Sequence, residues 1–252
     1  MIFLLPPSET KEPGGQNSAK VLSFPELTPT RKLLEQALVE LCSSPSLAAK
    51  ALKLGPKQLG EIAVNLELTK PNCLPAIDRY TGTLYDALKL GGLTSAMRNR
   101  AKKSVFIQSS LFGLISAMDE IPNYRFSAGS KIPGKNLKRL WQLAHAGIWS
   151  KFSKQVVIDL RSNSYLELAP IPHTISSYSV EVVLEDCKGN RKSLNHFNKQ
   201  AKGQFLRAVL LAKPEAKTIA ELKVIAKQAN LKLDVTGRKL LLVTFGLDPA
   251  GT

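Results

Sequence analysis

Two short apolar runs constrain the fold of this chain more than any other feature. Residues 156–160 read VVIDL, and residues 2–5 read IFLL and run into two prolines. A continuous apolar run of this length is typical of a strand that is buried on both faces. The first run therefore predicts a central strand, the second predicts a short buried strand, and together they predict a central sheet.

Helical and hairpin patterns surround these two runs. Apolar residues at helical spacing, often started by threonine or proline, predict helices at residues 31–41, 45–53, 56–66, 81–88, 199–211 and 218–229. Further strands are predicted at 104–108 and in two hairpins, 178–184 with 191–197 and 231–235 with 240–245. Because helices and strands mix without a regular βαβ alternation, the predicted class is α+β. We expect a single mixed α/β domain over residues 1–252, with a helical subregion at about 31–90.

The chain is strongly basic. It carries 35 Lys and Arg against 20 Asp and Glu, which gives a formal charge of +15 at pH 7. Hydrophobic residues at 44% and charged residues at 22% are ordinary for a folded protein and argue against disorder. The charge indicates a polyanionic partner such as nucleic acid, with general solubility as the alternative reason. The excess lies beyond residues 1–50, which carry five basic and five acidic side chains.

The sequence argues against several other classes. No apolar run reaches the roughly 20 residues of a membrane helix, and the N-terminus lacks the basic segment of a secretory signal. Three scattered cysteines predict no disulfide framework and favour a cytoplasmic location: Cys42, Cys73 and Cys187. Three isolated histidines lack metal-ligand spacing: His145, His173 and His196. We therefore predict no metal and no cofactor, and since standard catalytic motifs are absent, no catalytic residue is assigned.

The sharpest local motif is a glycine-proline turn between two predicted helices, where residues 52–62 read LKLGPKQLGEI. This pattern is typical of a helix-hairpin-helix, in which the turn and the next helix N-terminus present backbone N–H groups to a nucleic-acid phosphate. Gly55 would make the turn, and Lys57 would add electrostatic attraction. The alternative is a plain turn between two helices, for which glycine and proline are equally suitable.

A second motif lies where a predicted strand meets a predicted helix, at residues 195–207. Asn198 is a good helix N-cap, and Lys199, Lys202 and Arg207 are expected to point to one side of that helix. Together with His196 they would form an anion site at a strand-to-helix turn. The alternative is a capped helix with a solvated basic face.

Polar residues also follow the two predicted buried strands. Residues 8–11 read SETK, and Arg161 follows the central strand directly. Open sheets bind ligands at the carboxyl ends of strands, so both segments are candidates. The first lacks the glycine spacing of a P-loop. Tyrosines close to arginines, as in Arg79-Tyr80 and Tyr124-Arg125, suit base stacking with phosphate pairing and equally suit half-buried surface packing.

Taken in order, these segments resemble the YaaA family of bacterial peroxide-stress proteins. The resemblance extends from residue 2 to about 245 and rests on residues 5–11 (LPPSETK), 79–82 (RYTG), 111–115 (LFGLI), 121–125 (IPNYR), 159–165 (DLRSNSY) and 196–203 (HFNKQAKG). Better-studied relatives carry Ser-Pro-Ala-Lys-Thr in the first segment and Tyr-Ala-Lys-Lys-Ala-Arg-Gly in the last. The resemblance implies a mixed α/β domain with a positively charged cleft and a helix-hairpin-helix. It also implies DNA binding and a cytoplasmic role in limiting oxidative damage by keeping unincorporated iron low.

The first functional hypothesis is DNA binding, with no membrane role. We expect the binding to be structure-selective, because no base-reading helix is recognisable. Its candidate DNA- or anion-binding residues are Lys11, Gly55, Lys57, Arg79, Tyr80, Arg125, Arg161, His196, Asn198, Lys199, Lys202 and Arg207.

The second hypothesis is an enzyme or small-ligand protein with a phosphate, nucleotide or carboxylate site in the same cleft. Its candidate residues are Ser8, Lys11, Tyr80, Arg125, Arg161, His196 and Lys199. A third hypothesis, direct iron handling, finds little support in so few unclustered histidines and cysteines.

Overall fold

The computed structural model of the chain describes residues 1–18, 20–70, 72–186, 189–193 and 198–245, without the side chains of Ser193 and Phe245. Its strands are β1 (Ile2–Leu5), β2 (Gln16–Asn17), β3 (Asn72–Pro75), β4 (Val105–Ser109), β5 (Gly113–Ser116), β6 (Glu120–Pro122), β7 (Val157–Asp159), β8 (Ser177–Glu185), β9 (Arg191–Ser193), β10 (Lys232–Thr236) and β11 (Lys239–Phe245).

The α-helices are α1 (Thr28–Cys42), α2 (Pro45–Leu52), α3 (Glu61–Leu66), α4 (Ala76–Arg79), α5 (Thr83–Leu88), α6 (Ser95–Ser104), α7 (Leu137–His145), α8 (Asn163–Leu166), α9 (Asn198–Leu211) and α10 (Ile219–Gln228). Short 3-10 helices lie at Pro25–Leu27, Pro56–Gln58, Leu90–Gly92 and Trp149–Phe152. Within the described residues, no helix is long and apolar enough to cross a membrane.

A central sheet organises the fold. Among the described residues it has eight strands in the order β10-β11-β8-β7-β1-β4-β5, with β9 also paired to β8. The run from β11 to β4 is parallel, and β10, β5 and β9 add antiparallel pairs. β2, β3 and β6 form a separate antiparallel sheet. The predicted mixed α/β fold with a central sheet is confirmed.

The two apolar runs are neighbours in the middle of this sheet. β1 and β7 pair in parallel, with Ile2 opposite Val157 and Leu4 opposite Asp159. Every residue of both strands is buried, as expected for strands covered on both faces. Their carboxyl ends therefore reach the same edge of the sheet, and the polar residues that follow them meet there.

The helical subregion differs from the prediction in two ways. The helix predicted at 56–66 is divided into a 3-10 turn at Pro56–Gln58 and the short helix α3. Gly60 lies between the two pieces, and glycine is unfavourable inside a helix. The predicted helical stretch of 31–90 also contains a strand, β3, which pairs with β2 and β6. The predicted return strand at 191–197 is observed as β9, and residues 194–197 lie outside the described residues.

Candidate functional site

The candidate site lies where the chain leaves neighbouring strands in opposite directions. β1 and β7 are adjacent and parallel, and the next central strands along the chain, β4 and β8, lie on opposite sides of this pair. In open α/β sheets ligands bind in the crevice at the carboxyl ends of such strands. A cleft of about 590 Å³ opens at this point. We call it the switch-point cleft, and it is lined by residues 6–10, 81–85, 160, 162, 164, 165, 198, 199 and 202.

The segment after β1 brings hydroxyl groups to the cleft. Ser8 Oγ lies 3.2 Å from Thr10 Oγ1. Both face Gly82, where an added Cβ would lie 3.2 Å from Thr10 Oγ1 and 3.3 Å from Ser8 Oγ. Gly82 has a φ of 95°, a backbone angle that favours glycine. After β7, Ser162 Oγ lies 3.3 Å from Ser164 Oγ, so two pairs of hydroxyl groups line the cleft.

The start of α9 adds positive charge and an amide. Asn198 and Lys202 are four residues apart and therefore share one helix face. The Oδ1 atom of Asn198 is buried and has no hydrogen-bond partner in the described part of the chain. Lys202 is 6% exposed, and its Nζ donates to the carbonyl of Leu160 at 3.1 Å. Burial lowers the pKa of Lys202 from 10.5 to about 8. Lys199 is exposed at the rim.

Helix α9 reaches the cleft because Gly203 permits close packing against α5. A Cβ at Gly203 would lie 2.2 Å from the carbonyl oxygen of Leu84 and 2.7 Å from Ala87 Cβ. Arg207, four residues further on, donates from Nη1 to the carbonyls of Leu88 and Lys89 at the end of α5. Arg207 therefore fixes the packing of the two helices, and a direct ligand contact would compete with these bonds.

A second, smaller cavity of about 280 Å³ lies beside the switch-point cleft, and Glu9 and Thr10 line both. We call it the Lys11 cavity. Lys11 Nζ donates to the carbonyl of Ser8 at 3.0 Å and lies 4.1 Å from the ring centre of Tyr124. Burial, followed by the nearby Arg125, lowers the pKa of Lys11 from 10.5 to about 7.

Arg125 spans the Lys11 cavity between two carboxylates. Its Nη2 lies 3.0 Å from a Glu9 oxygen and its Nε lies 3.2 Å from a Glu61 oxygen. The Arg125 side chain is 10% exposed, whereas those of Glu9 and Glu61 are 62% and 38% exposed. The charge of Arg125 is therefore balanced by two partly exposed carboxylates of the same chain.

Two other candidate arginines, Arg79 and Arg161, are buried and line neither cavity. Arg79 is 0% exposed, and its guanidinium donates to backbone carbonyls at Glu12, Gly14, Asn72 and Ile121. These bonds use all five of its N–H groups, which leaves none for a ligand. In this structure Arg79 therefore holds backbone segments together, and its ligand-binding role stays a prediction.

Arg161 has a similar structural role. It makes a bidentate contact with Asp159, at 2.8 Å from Nε and 2.7 Å from Nη2, and its Nη1 donates to the carbonyl of Ala169. Its side chain is 0% exposed, so direct contact with DNA or another ligand requires breaking this pair. Tyr80 is also buried, with its hydroxyl 2.8 Å from that of Tyr124.

The glycine-proline turn lies on a basic surface. Gly55 N–H donates to Gln58 Oε1 at 3.1 Å, so this amide is already satisfied within the turn. Lys131 N–H bonds the carbonyl of Ala51 at 2.9 Å, which brings a second basic loop to the end of α2. Five exposed lysines make up what we call the turn patch: Lys50, Lys53, Lys57, Lys131 and Lys135. The lysine ion pairs of the described residues involve other lysines.

The structure thus separates the candidate residues into groups. Asn198, Lys199 and Lys202 line the switch-point cleft, Lys11 and Arg125 line the Lys11 cavity, and Gly55 and Lys57 lie at the turn. His196 lies outside the described residues. Glu61, Gly82 and Gly203 lie in the segments 52–62, 79–82 and 196–203 but are not among the candidate site residues, since their partners are distant in the chain. The positive φ of Gly82 and the close approach of Gly203 have no local signature. Among the described residues, no group of three His, Cys, Asp or Glu residues is placed to hold a metal ion.

Fold and site together define a mixed α/β domain with a polar cleft at the switch point of its sheet. The family profile described as peroxide stress protein YaaA matches residues 1–235. A UPF0246 protein of Corynebacterium efficiens is 39% identical over 252 residues, covering 95% of this chain and 97% of the relative. A UPF0246 protein of Streptomyces coelicolor is 36% identical over 216 residues, covering 83% of each chain. The chain belongs to the YaaA peroxide stress protein family.

Proposed function

We propose that the switch-point cleft binds a small ligand that carries a phosphate group. The observation that carries this proposal is that Lys202 and Asn198 lie on the same face of α9 and both line the cleft. Lys202 is a buried amine with a single protein acceptor in the described part of the chain, and an ammonium has three N–H groups to donate. A buried cation left with spare donors is costly, and an incoming anion supplies the missing acceptors.

The rest of the cleft defines what the ligand carries besides the phosphate. The hydroxyls of Ser8, Thr10, Ser162 and Ser164 can donate to phosphate oxygens or accept from ligand hydroxyls. Asn198 Oδ1 accepts only, so it selects a ligand with an O–H or N–H group close to the phosphate. A phosphorylated sugar or a nucleotide has both groups and fits a volume of about 590 Å³.

The test is a thermal-shift titration with inorganic phosphate, ribose 5-phosphate and nucleotides. We expect a rise in melting temperature that grows with ligand concentration, and its loss in Lys202→Met. The control is Lys223→Met, which removes an exposed lysine from α10. Because the ligand binds the ammonium form, affinity should fall about tenfold per pH unit as the pH rises above the Lys202 pKa of about 8. No shift with any of these phosphates would refute the proposal.

DNA binding is a second candidate function, and the turn patch favours it. The exposed lysines of this patch lie on α2, at the glycine-proline turn and on the loop that Lys131 joins to the end of α2, without ion-pair partners in the described residues. Such a surface suits the phosphate backbone and carries no base-specific information. In this form of the proposal DNA contacts the lysines of the turn patch and the Lys199 rim, and the buried arginines only support the fold.

A salt titration of binding to straight and bent labelled duplexes tests the DNA proposal. The slope of log affinity against log salt should fall by about 0.9 for each lysine that no longer neutralises a phosphate, so Lys53→Gln with Lys57→Gln should reduce it by about two. Lys223→Gln with Lys227→Gln, on α10, is the charge-matched control. An unchanged slope in the turn variant, or no binding at low salt, would contradict the proposal.

The family description names a peroxide stress protein. We propose that either activity serves a cytoplasmic response that limits oxidative damage and free iron, as the family resemblance implies. The experiment is to measure peroxide survival and unincorporated iron in a strain that lacks the protein. Lys202→Met and the turn-patch variant would be returned separately, so that rescue by one of them identifies which surface the response requires.

A further inference from the structure

The Lys11 cavity contains a lysine in an unusual setting. Lys11 Nζ lies between the carbonyls of Ser8 and Glu9, at 3.0 and 3.3 Å, and above the ring of Tyr124. The cavity beside it holds about 280 Å³, and Arg125 and Glu61 also line it. This cavity is distinct from the cleft proposed to bind phosphate, and nothing in that proposal requires Lys11.

The charges around Lys11 are mixed. Burial and Arg125 disfavour its ammonium form, as does Arg79 to a smaller degree, whereas Glu61 and Glu9 favour it. The two phenols that it faces, Tyr80 and Tyr124, are buried, and burial raises the pKa of each, so neither supplies a negative charge. The balance sets the pKa of Lys11 at about 7. About half of the molecules therefore carry a neutral amine near neutral pH, compared with roughly one in 2,500 for an ordinary lysine.

We propose that Lys11 is a carbonyl-reactive amine that forms an imine with a small aldehyde or α-oxo acid held in the Lys11 cavity. A lysine made nucleophilic by burial and by a neighbouring cation is an established route to such chemistry. The volume of about 280 Å³ limits the partner to a compound of a few heavy atoms.

The reaction balances without any further reagent. The neutral Nζ attacks the carbonyl carbon, a C–N bond forms, and the C=O double bond becomes a single bond. The C–O bond then breaks and the oxygen leaves as water. Counted from the ammonium, one carbonyl compound gives one iminium and one water with no net proton exchange. Glu9 and Glu61 act on Lys11 through their charge, and solvent takes the proton from the ammonium and returns one to the departing hydroxyl.

The surroundings also suit the product. An iminium keeps one N–H, which can still donate to the carbonyl of Ser8 or Glu9. It keeps its positive charge as well, and the ring of Tyr124 stabilises a cation above its face. The position of Nζ therefore does not have to change greatly between amine and iminium.

The test traps the imine in the unaltered protein. The chain is incubated near pH 7 with sodium cyanoborohydride and either glyoxylate or propanal, digested, and mapped by mass spectrometry. We expect the reduced adduct on Lys11 to exceed that on the exposed Lys57 by about tenfold or more, and this ratio to shrink near pH 10. An adduct with either carbonyl supports the proposal.

Two variants show whether the adduct depends on the Lys11 amine and whether it is independent of the switch-point cleft. Lys11→Arg keeps a cation in the cavity and should lose the adduct at that position. Lys202→Met leaves Lys11 in place and should keep the adduct, even if phosphate binding is lost or was never present. If Lys11 in the unaltered protein is labelled no faster than Lys57 with both carbonyls, the proposal is overturned, and this readout does not depend on any variant folding.

Discussion

Two buried arginines, Arg79 and Arg161, which we call the scaffold arginines, hold their charge differently from the lysine of the switch-point cleft. In the scaffold, Arg79 and Arg161 bind backbone carbonyls or Asp159 with their guanidinium groups. In the cleft, Lys202 has one protein acceptor within the described residues and a pKa lowered to about 8. A buried charge is tolerated when it is fully bonded and is costly otherwise. This difference is the reason for our proposal that the arginines stabilise the fold whereas Lys202 binds the ligand.

The largest expected effect concerns the scaffold. Arg161→Met removes the partner of Asp159, which is 3% exposed. An unpaired carboxylate would then remain buried, so we expect the free energy of unfolding to fall by about 3–5 kcal/mol. Urea denaturation measures this change.

The exposed Arg139 provides the control for this prediction, because Arg139→Met should alter the free energy of unfolding by less than about 0.5 kcal/mol. Adding Asp159→Asn to Arg161→Met should recover part of the loss, since the buried charge is then gone. Equal stability of the Arg161 and Arg139 variants would show that the pair is not structural.

The sequence predicted the buried strands on which this comparison rests, but it did not predict the partners of the buried cations. The runs at 2–5 and 156–160 are apolar along nearly their whole length, and this local property was enough to predict two buried strands with polar residues at their ends. The partners of the arginines are not local. Arg79 donates to the carbonyl of Ile121, 42 residues away. The neighbouring Tyr80 does not indicate this partner. An arginine that binds backbone carbonyls and one that binds a phosphate therefore look the same in sequence.

A smaller effect is expected where α9 packs on α5 behind the cleft. In Gly203→Ala the new Cβ would meet the Leu84 carbonyl oxygen at 2.2 Å, so the helices must separate. We expect a loss of about 2–3 kcal/mol in the free energy of unfolding and weaker phosphate binding, because Lys202 lies on the same helix. Gly91→Ala, where an added Cβ has open space, is the matched control. A stable Gly203→Ala variant that still binds phosphate would show that this packing does not position the cleft.

Replacing Lys202 should increase the free energy of unfolding, whereas the changes above decrease it. Its pKa of 10.5 in the unfolded chain falls to about 8 in the folded protein, so the folded state binds the proton more weakly. Lys202→Met removes that cost and should raise the free energy of unfolding near pH 7 by roughly 2 kcal/mol, after the loss of the bond to Leu160.

The pH dependence provides a second readout of the Lys202 prediction. The stability of the unaltered protein should increase as the pH rises from about 8 toward 10.5, so the advantage of Lys202→Met should shrink over this window. Urea denaturation at several pH values measures it, with Lys223→Met as the exposed control. A loss of stability in Lys202→Met at every pH would place Lys202 with the scaffold arginines.

The smallest expected change in stability concerns Gln108, a buried residue that we do not place in the site. Gln108 in β4 is 0% exposed, and neither atom of its amide has a hydrogen-bond partner in the described part of the chain. Gln108→Leu keeps a similar volume and removes the desolvated amide, so the free energy of unfolding should stay level or rise by about 1 kcal/mol. Gln108 does not line the switch-point cleft, so phosphate binding should persist, whereas Lys202→Met should abolish it. If Gln108→Leu and Lys202→Met both lose phosphate binding, Gln108 also belongs to the site. The site must then extend as far as β4.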